Sequence, residues 1–432
     1  MKSSSKEVRR TVVVRCYTNK FARRALREIE NAYKEMLREM VEYALEYGAS
    51  QSTLHEVFYE KFRGRFPWLP TRAVKGAYRD AVRRAKSFRE LKKRGKAYAE
   101  KPEVRRVTIT YSDSQDWRTE DGAIKLRAHE GWVELRYKTH KQLRKYAHDG
   151  WRLTSELKLR IVGRKVIAYL TFTKGFEIAC EPRNVVAIDV NENNVTVAVF
   201  EGGVLSDVYR VETGLGRMVI AYAERRKRIT KGNSTKNSEV RKKLKRLREG
   251  ERKLDVLRKT ASFIERLAIE DRAAVVVGNI NGRAKERMEE NADNKLRHRI
   301  HQWSVSTLMK LLDEKPICVE KVSENGTSSR DPFTGSLIKE YEPLVIRTAV
   351  RGLKRIKVMK TTLRVARVSD RVVERDVVGA INIGLRFLSS DGRPVALAST
   401  GAHEVRVMLV SPHRGATPLD CLQLIEAMRR RR

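Results

Sequence analysis

The run Val185-Val186-Ala187-Ile188-Asp189-Val190 puts one carboxylate near the end of an otherwise apolar strand. A polar turn, Asn191-Glu192-Asn193, leads into a second β-rich run from Asn194 to Phe200. A carboxylate in such a strand is expensive to bury unless something pairs with it. At a strand end the usual partner is a metal ion or a substrate. The fold must therefore carry Asp189 to a place where other acids or a ligand meet it.

The elements that follow define a topology. A third strand, Val204 to Val211, lies beyond the Gly202-Gly203 turn. A helical region spans about 215–269, broken in two at Gly232-Asn233-Ser234. Ala273 to Ile280 reads as a buried strand, about 295–312 as a helix, and Ile317 to Val322 as a strand. A basic hairpin fills about 345–372, and a last helix opens near Asp376. The order β-β-β-α-β-α-β-α over 185–388 is that of a ribonuclease-H-like domain. Such a sheet sets its first and fourth strands side by side, with the fifth beyond the fourth. Acids on the first and fourth strands and on the final helix then hold two divalent ions that assist phosphodiester displacement. Carboxylates suit Mg²⁺. Asp189 is the first acid and Asp376 the third, although an acid in a helix's first turn is also favoured by the helix dipole alone.

Upstream, residues 7–17 read as a strand, and Thr18-Asn19 opens a helix that Gly48 stops. Further helices are expected over 52–62 and 71–93. From about Glu103 to Thr173 the pattern alternates as in a small antiparallel barrel. The predicted fold class is α+β multidomain. A β-barrel of residues 1–17 and 96–184 carries a helical insertion, 18–95, and precedes the α/β domain of 185–388. Residues 389–432 look like a basic tail.

The formal net charge is +38, with 34% of residues charged. So large a surplus implies a polyanionic partner. No apolar run approaches the ~18 residues of a membrane span. The start of the chain does not read as a signal peptide, so a cytoplasmic protein is expected. The four cysteines are scattered and form no CxxC pair, which argues against a disulfide framework or a zinc ribbon. Candidate phosphate-binding residues crowd two helical stretches: Arg83 and Arg84 in one, and Arg225, Arg226, Lys227, Arg228, Arg241, Lys242, Lys243, Lys245 and Arg246 in the other. A solvated charged face accounts for the first stretch equally well, whereas the charge density of the second favours phosphate binding over a merely solvated face.

Four segments resemble TnpB, the OrfB-type protein of insertion sequences and a relative of type V CRISPR effectors. They are Ala187 to Val195, Ile300 to Ser304, Glu324 to Ser329, and Glu374 to Ile383. The resemblance covers most of 185–388. It implies a RuvC nuclease domain, with the barrel as wedge and the helices as recognition domain. It further implies a guide RNA, cleavage of double-stranded DNA with Mg²⁺, and a monomer or weak dimer. By the same resemblance Arg375 is placed to contact the phosphates of the scissile strand.

Two departures stand out. The family's fourth strand usually ends in a glutamate, where this chain has Gly278 followed by Asn279. Family members often carry Cys-Pro-x-Cys-Gly where this chain reads Asp331-Pro332-Phe333-Thr334-Gly335, so zinc is not expected in the degenerate ribbon region 325–372. A subset of the family that lacks the glutamate is thought to use one at the end of the next strand, which here is Glu324. Glu324 is otherwise an ordinary loop acid. Weaker substitutes are Glu286, Glu289 and Glu290, and His298 and His301 are expected to pack within a helix. The alternative to a nuclease is an RNA-guided DNA-binding protein that does not cut.

Overall fold

The computed structural model describes residues 2–95, 97–120, 122–129, 131–232, 237–279, 304–351, 356–368, 371–389, 407–411 and 415–418. The chain divides into two compact units, one of residues 7–175 and one of residues 1–6 with 176–432.

The first unit is a sheet with helices packed on it. Strand β1 (Lys2–Tyr17) buries Val8, Val12, Val14 and Cys16, the alternate residues of a β-branched run. Helix α1 (Lys20–Tyr47) starts where the Asn19 side chain accepts from the Ala22 N–H, and it ends at Gly48 in the left-handed conformation, φ 70°. Leu26, Ile29, Tyr33, Met36, Leu37 and Met40 form its buried stripe. Helices α2 (Gln51–Arg65) and α3 (Thr71–Lys93) follow. Then come β2 (Ile109–Tyr111), β3 (Trp117–Glu120), β4 (Ala123–Ala128), β5 (Gly131–Tyr137), α4 (Lys141–Ala147), β6 (Arg152–Val162) and β7 (Lys165–Cys180). The strand order β2-β6-β7-β1-β5-β4-β3 makes a nearly closed, barrel-like sheet that includes the N-terminal strand.

The helices are not a separate body. Leu26, Ile29 and Met36 of α1 and Val74 and Tyr78 of α3 share one apolar core with Ile124, Leu135, Leu159 and Val166 of the sheet. Each buried side chain of that size contributes roughly 1.5–3 kcal/mol, so the insertion is held on the sheet by the same burial that closes the sheet itself. Helix α3 approaches β2 so closely that a Cβ on Gly76 would overlap the Thr110 carbonyl. The division between the compact units falls at 175, within β7. Ile178 and Cys180 already pack with Ala274, inside the second unit.

The second unit is built on a mixed sheet. Its elements are β8 (Val185–Val190), β9 (Asn194–Glu201), β10 (Val204–Glu212), α5 (Leu215–Thr230), α6 (Ser238–Arg246), α7 (Glu249–Glu270), β11 (Ala274–Asn279), α8 (Val305–Asp313) and β12 (Val319–Ser323). They continue with β13 (Glu342–Arg351), β14 (Ile356–Val368), β15 (Arg371–Glu374), α9 (Arg375–Leu388), β16 (Val407–Ser411) and β17 (Gly415–Pro418). The sheet runs β12-β11-β8-β9-β10-β16-β17. Strands β8 and β11 are parallel neighbours and β12 lies outside β11, as the sequence led us to expect.

Two features differ from expectation. The basic region holds three helices rather than two, because Arg248 (φ 49°) breaks it a second time. The segment expected to be a tail extends the sheet, with β16 parallel to β10 and β17 paired on β16.

Alternation sorts the strands onto two faces. Val186, Ile188, Val275 and Val277 meet Leu257 and Ile264 of α7 and Leu308 and Leu312 of α8. Val185, Ala187, Val208 and Val276 meet Ala380, Ile381 and Ile383 of α9. By the same alternation Asp189 and Gly278 belong to the α9 face. Strands β13 to β15 form a separate antiparallel sheet that leads into α9. Before it, the Asp331 carboxylate accepts from the Thr334 N–H (3.0 Å) and hydroxyl (2.6 Å), closing a turn. No described helix is long and apolar enough to cross a membrane.

Candidate carboxylate centre

Register places the site's residues in one row. Arg210 pairs with Thr196, and Thr196 with Asp189. On the other side Val277 pairs with Ile188, which brings Gly278 level with Asp189, and Gly278 pairs with Val322. All belong to the face that α9 covers. Glu324 follows two residues after Val322, just past the end of β12, so it starts on the same face and one step beyond the row.

The Glu324 side chain turns back over Gly278. A Cβ built on Gly278 would lie 2.5 Å from Glu324 Oε1, 2.7 Å from its Cγ and 2.8 Å from its Cδ. The carboxylate therefore occupies the space that any side chain at 278 would need. Gly278 is required here by close approach, not by backbone strain.

Asp189 is 8% exposed, and its Oδ2 accepts from Asn191 Nδ2 at 2.9 Å. The backbone of α9 closes on it at Gly379, where a Cβ would lie 2.8 Å from Oδ2 and 3.2 Å from Ser328 Oγ. Burial, reinforced by the charges of Asp376 and Glu324, holds the Asp189 carboxyl well above the usual aspartate range. Burial also pushes the Glu324 carboxyl up to about 7. Without a cation, these two groups favour their protonated forms far more than free carboxylates do.

Asp376 sits in the first turn of α9, and Glu374 caps that helix by accepting from the Val377 N–H at 3.0 Å. Asp376 Oδ2 accepts from Asn194 Nδ2 (3.0 Å) and from an Arg210 terminal nitrogen (3.0 Å). The same nitrogen donates to Glu374 Oε1 at 3.1 Å, and Arg210 Nε donates to Glu212 Oε1 at 2.9 Å. Burial opposes the arginine's charge, but Glu374, Asp376 and Glu212 outweigh it and raise its pKa. Burial and then Asp376 raise the Glu374 carboxyl to about 7. Asp376 faces a cleft of about 330 Å³ whose rim includes Asn191, Asn194, Arg364 and Arg375.

The structure thus gathers Asp189, Glu324 and Asp376 around one end of the sheet. Among the described residues no three His, Cys, Asp or Glu side chains stand at metal-ligand spacing. The donors are all oxygen, as a hard divalent ion requires. Burial and the neighbouring negative charges both disfavour the Asp189 carboxylate, and a divalent ion would offset both. By donor chemistry and charge the residues fit Mg²⁺.

The predicted basic residues separate into two kinds. Arg83, Arg225, Lys227, Arg228, Arg241, Lys242, Lys243, Lys245 and Arg246 are exposed. Arg225 lies 5.4 Å over the Tyr222 ring, and Lys242 pairs with Glu239 at 2.7 Å. Arg84 and Arg226 are half-buried and spoken for: Arg84 pairs with Asp80 at 3.1 Å and donates to the Arg106 carbonyl, and Arg226 pairs with Glu249. Arg375 is exposed at the cleft beside Asp376. Glu286, Glu289, Glu290, His298 and His301 lie outside the described residues.

Sequence reasoning missed Arg210, Glu374, Asn191, Asn194 and Gly379. Arg210 had a signal: it follows Val208 by two, so alternation predicts an inward apolar residue where an arginine stands. Gly379 had another, since glycine inside a helix costs about 1 kcal/mol relative to alanine and needs a reason.

The family described as "Uncharacterized protein MJ0013 family" matches residues 29–127. The uncharacterized protein MJ0857 of Methanocaldococcus jannaschii is 26% identical over 241 residues, spanning 50% of this chain and 86% of that protein. Among solved structures, the mini-RNA-guided endonuclease CRISPR-Cas_phi3 aligns over 92% of this chain and 94% of its own, with 10% identity and a TM-score of 0.43. Cas12f1, in a complex with sgRNA and target DNA, covers 87% of this chain and 99% of its own, with 13% identity and a TM-score of 0.29. Cas12i1, in an R-loop complex, covers 73% of this chain and 54% of its own, with 9% identity and a TM-score of 0.29. Likeness at this level identifies neither a fold nor a chemistry.

Proposed function

We propose that this protein is an RNA-guided, Mg²⁺-dependent DNA endonuclease of the TnpB type, associated with an insertion sequence. The observation that carries the proposal is the Glu324 carboxylate lying over Gly278, in the row of Asp189. Asp189, Glu324 and Asp376 would hold the metal. When bound, divalent ions stabilise the attacking and leaving oxygens of a phosphodiester displacement. The chain's own groups do the rest. Asn191 and Asn194 orient the two aspartates by hydrogen bonds to one oxygen of each. Arg364 and Arg375 flank the cleft and offer cations to the phosphates of a strand entering it. The exposed lysines and arginines of α5 and α6 contact nucleic-acid backbone without reading sequence, which base pairing with the guide supplies. Zinc has no role in this scheme.

The test is to purify the protein with co-expressed RNA and challenge duplex DNA matched to the guide. Cleavage in Mg²⁺ is expected, lost with a chelator and lost in Asp189→Asn. Guide-dependent binding with no cutting in Mg²⁺ or Mn²⁺ would instead establish a binding protein that does not cleave. Equal cutting by Asp189→Asn would remove Asp189 from the site.

A further inference from the structure

Among the described residues of the second unit, Arg210 is a buried cation on β10, a strand that supplies none of the three candidate metal ligands. It is 5% exposed in a position where alternation calls for an apolar side chain. Removing a guanidinium from water is unfavourable unless its donors are met. Here they are met by three acids from two parts of the chain. Glu212 lies on the same strand, while Glu374 and Asp376 lie at the start of α9.

We propose that Arg210 is a positioning residue of the metal centre, acting through Asp376. This rests on the nuclease reading above. Two donors converge on Asp376 Oδ2, one from Arg210 and one from Asn194. Asn194 is fixed in turn, because its Oδ1 accepts from the fully buried Thr196 hydroxyl at 3.1 Å. With Oδ2 pinned from both sides, Oδ1 is presented in one orientation. The same guanidinium nitrogen holds Glu374, the cap of α9, so the helix start and its carboxylate are located against the sheet together. Arg210 also offsets negative charge between Glu212, Glu374 and Asp376, which would otherwise face one another across a low-dielectric gap.

Lysine at 210 is the discriminating variant. It keeps the charge but has one nitrogen in place of a planar fork, so it cannot reach Glu212 and the α9 pair together. The full-length chain, freed of RNA, is titrated with Mn²⁺ by calorimetry, and melting temperature is followed in parallel. Residues behind a metal ligand are worth about 10–100-fold in affinity. Arg210→Lys is therefore expected to bind Mn²⁺ at least about tenfold more weakly. In the RNA-loaded protein its kcat should fall while KM for DNA stays at the wild-type value. Should Arg210→Lys melt before it can be titrated, Asn194→Ser removes the other donor to Oδ2 and is expected to weaken Mn²⁺ binding in the same direction. Wild-type Mn²⁺ affinity in these variants would overturn the positioning role and leave the nuclease reading standing. A wild-type chain that binds no Mn²⁺ would overturn both.

Discussion

Glu324→Ala is expected to lower Mg²⁺-dependent cleavage by a factor on the order of 10³, equivalent to about 4 kcal/mol of transition-state stabilisation. The variant removes the carboxylate that the structure places over Gly278. Groups that merely support a ligand are worth about 10–100-fold, so loss of the ligand itself should exceed that. The fold should not suffer. Burial has driven this carboxyl up to about 7, so at neutral pH its charge works against the folded state. Single-turnover cleavage with the guide-loaded protein measures the first effect and thermal melting the second. A variant that cuts within a few-fold of wild type would show that Glu324 is an ordinary loop acid.

The second large effect concerns Gly278. Gly278→Glu adds a carboxylate to β11 level with Asp189, yet it should inactivate this protein. Its Cβ alone would come within 2.5–2.8 Å of three Glu324 atoms, and two carboxylates cannot share that space. Combined with Glu324→Ala, the same substitution should recover activity to within about tenfold of wild type, because a glutamate at 278 stands on the neighbouring strand level with Asp189. Cleavage rates of the two single variants and the double variant form a complete cycle. A folded double variant no better than Glu324→Ala alone would show that the two positions are not interchangeable.

Much of this was legible in the chain. Asp189 betrayed itself as a charge in the apolar row of Val185 and Ala187, and the neighbouring strands could be ordered because β-branched runs alternate with helical periodicity. The strand order and the bare position at Gly278 left room for Glu324 to reach back toward β11, but not the direction its side chain takes. Sequence gives its position after the strand, but the direction of a side chain beyond the last paired residue depends on the empty volume at Gly278, which appears only when β11 and β12 are in register. Arg210 was missed for a related reason. Its three partners come from residues 212, 374 and 376, and only the sheet and the cap of α9 bring those together. The helices between β1 and β2 share one apolar core with the sheet. The apolar stripe of α1 was visible, whereas the identity of what it packs on was not. The C-terminal strands escaped because one short strand paired parallel to β10 leaves little local pattern.

The most direct measurement is the position of a divalent ion. Crystals of the full-length chain soaked in Mn²⁺ and recorded near the manganese edge should show an anomalous peak touching carboxylate oxygens of both Asp189 and Glu324, at about 2.1–2.3 Å. A peak held by Asp189 and Asp376 with Glu324 outside its shell, or no peak at saturating Mn²⁺, would contradict the assignment of Glu324 as the acid that completes the site.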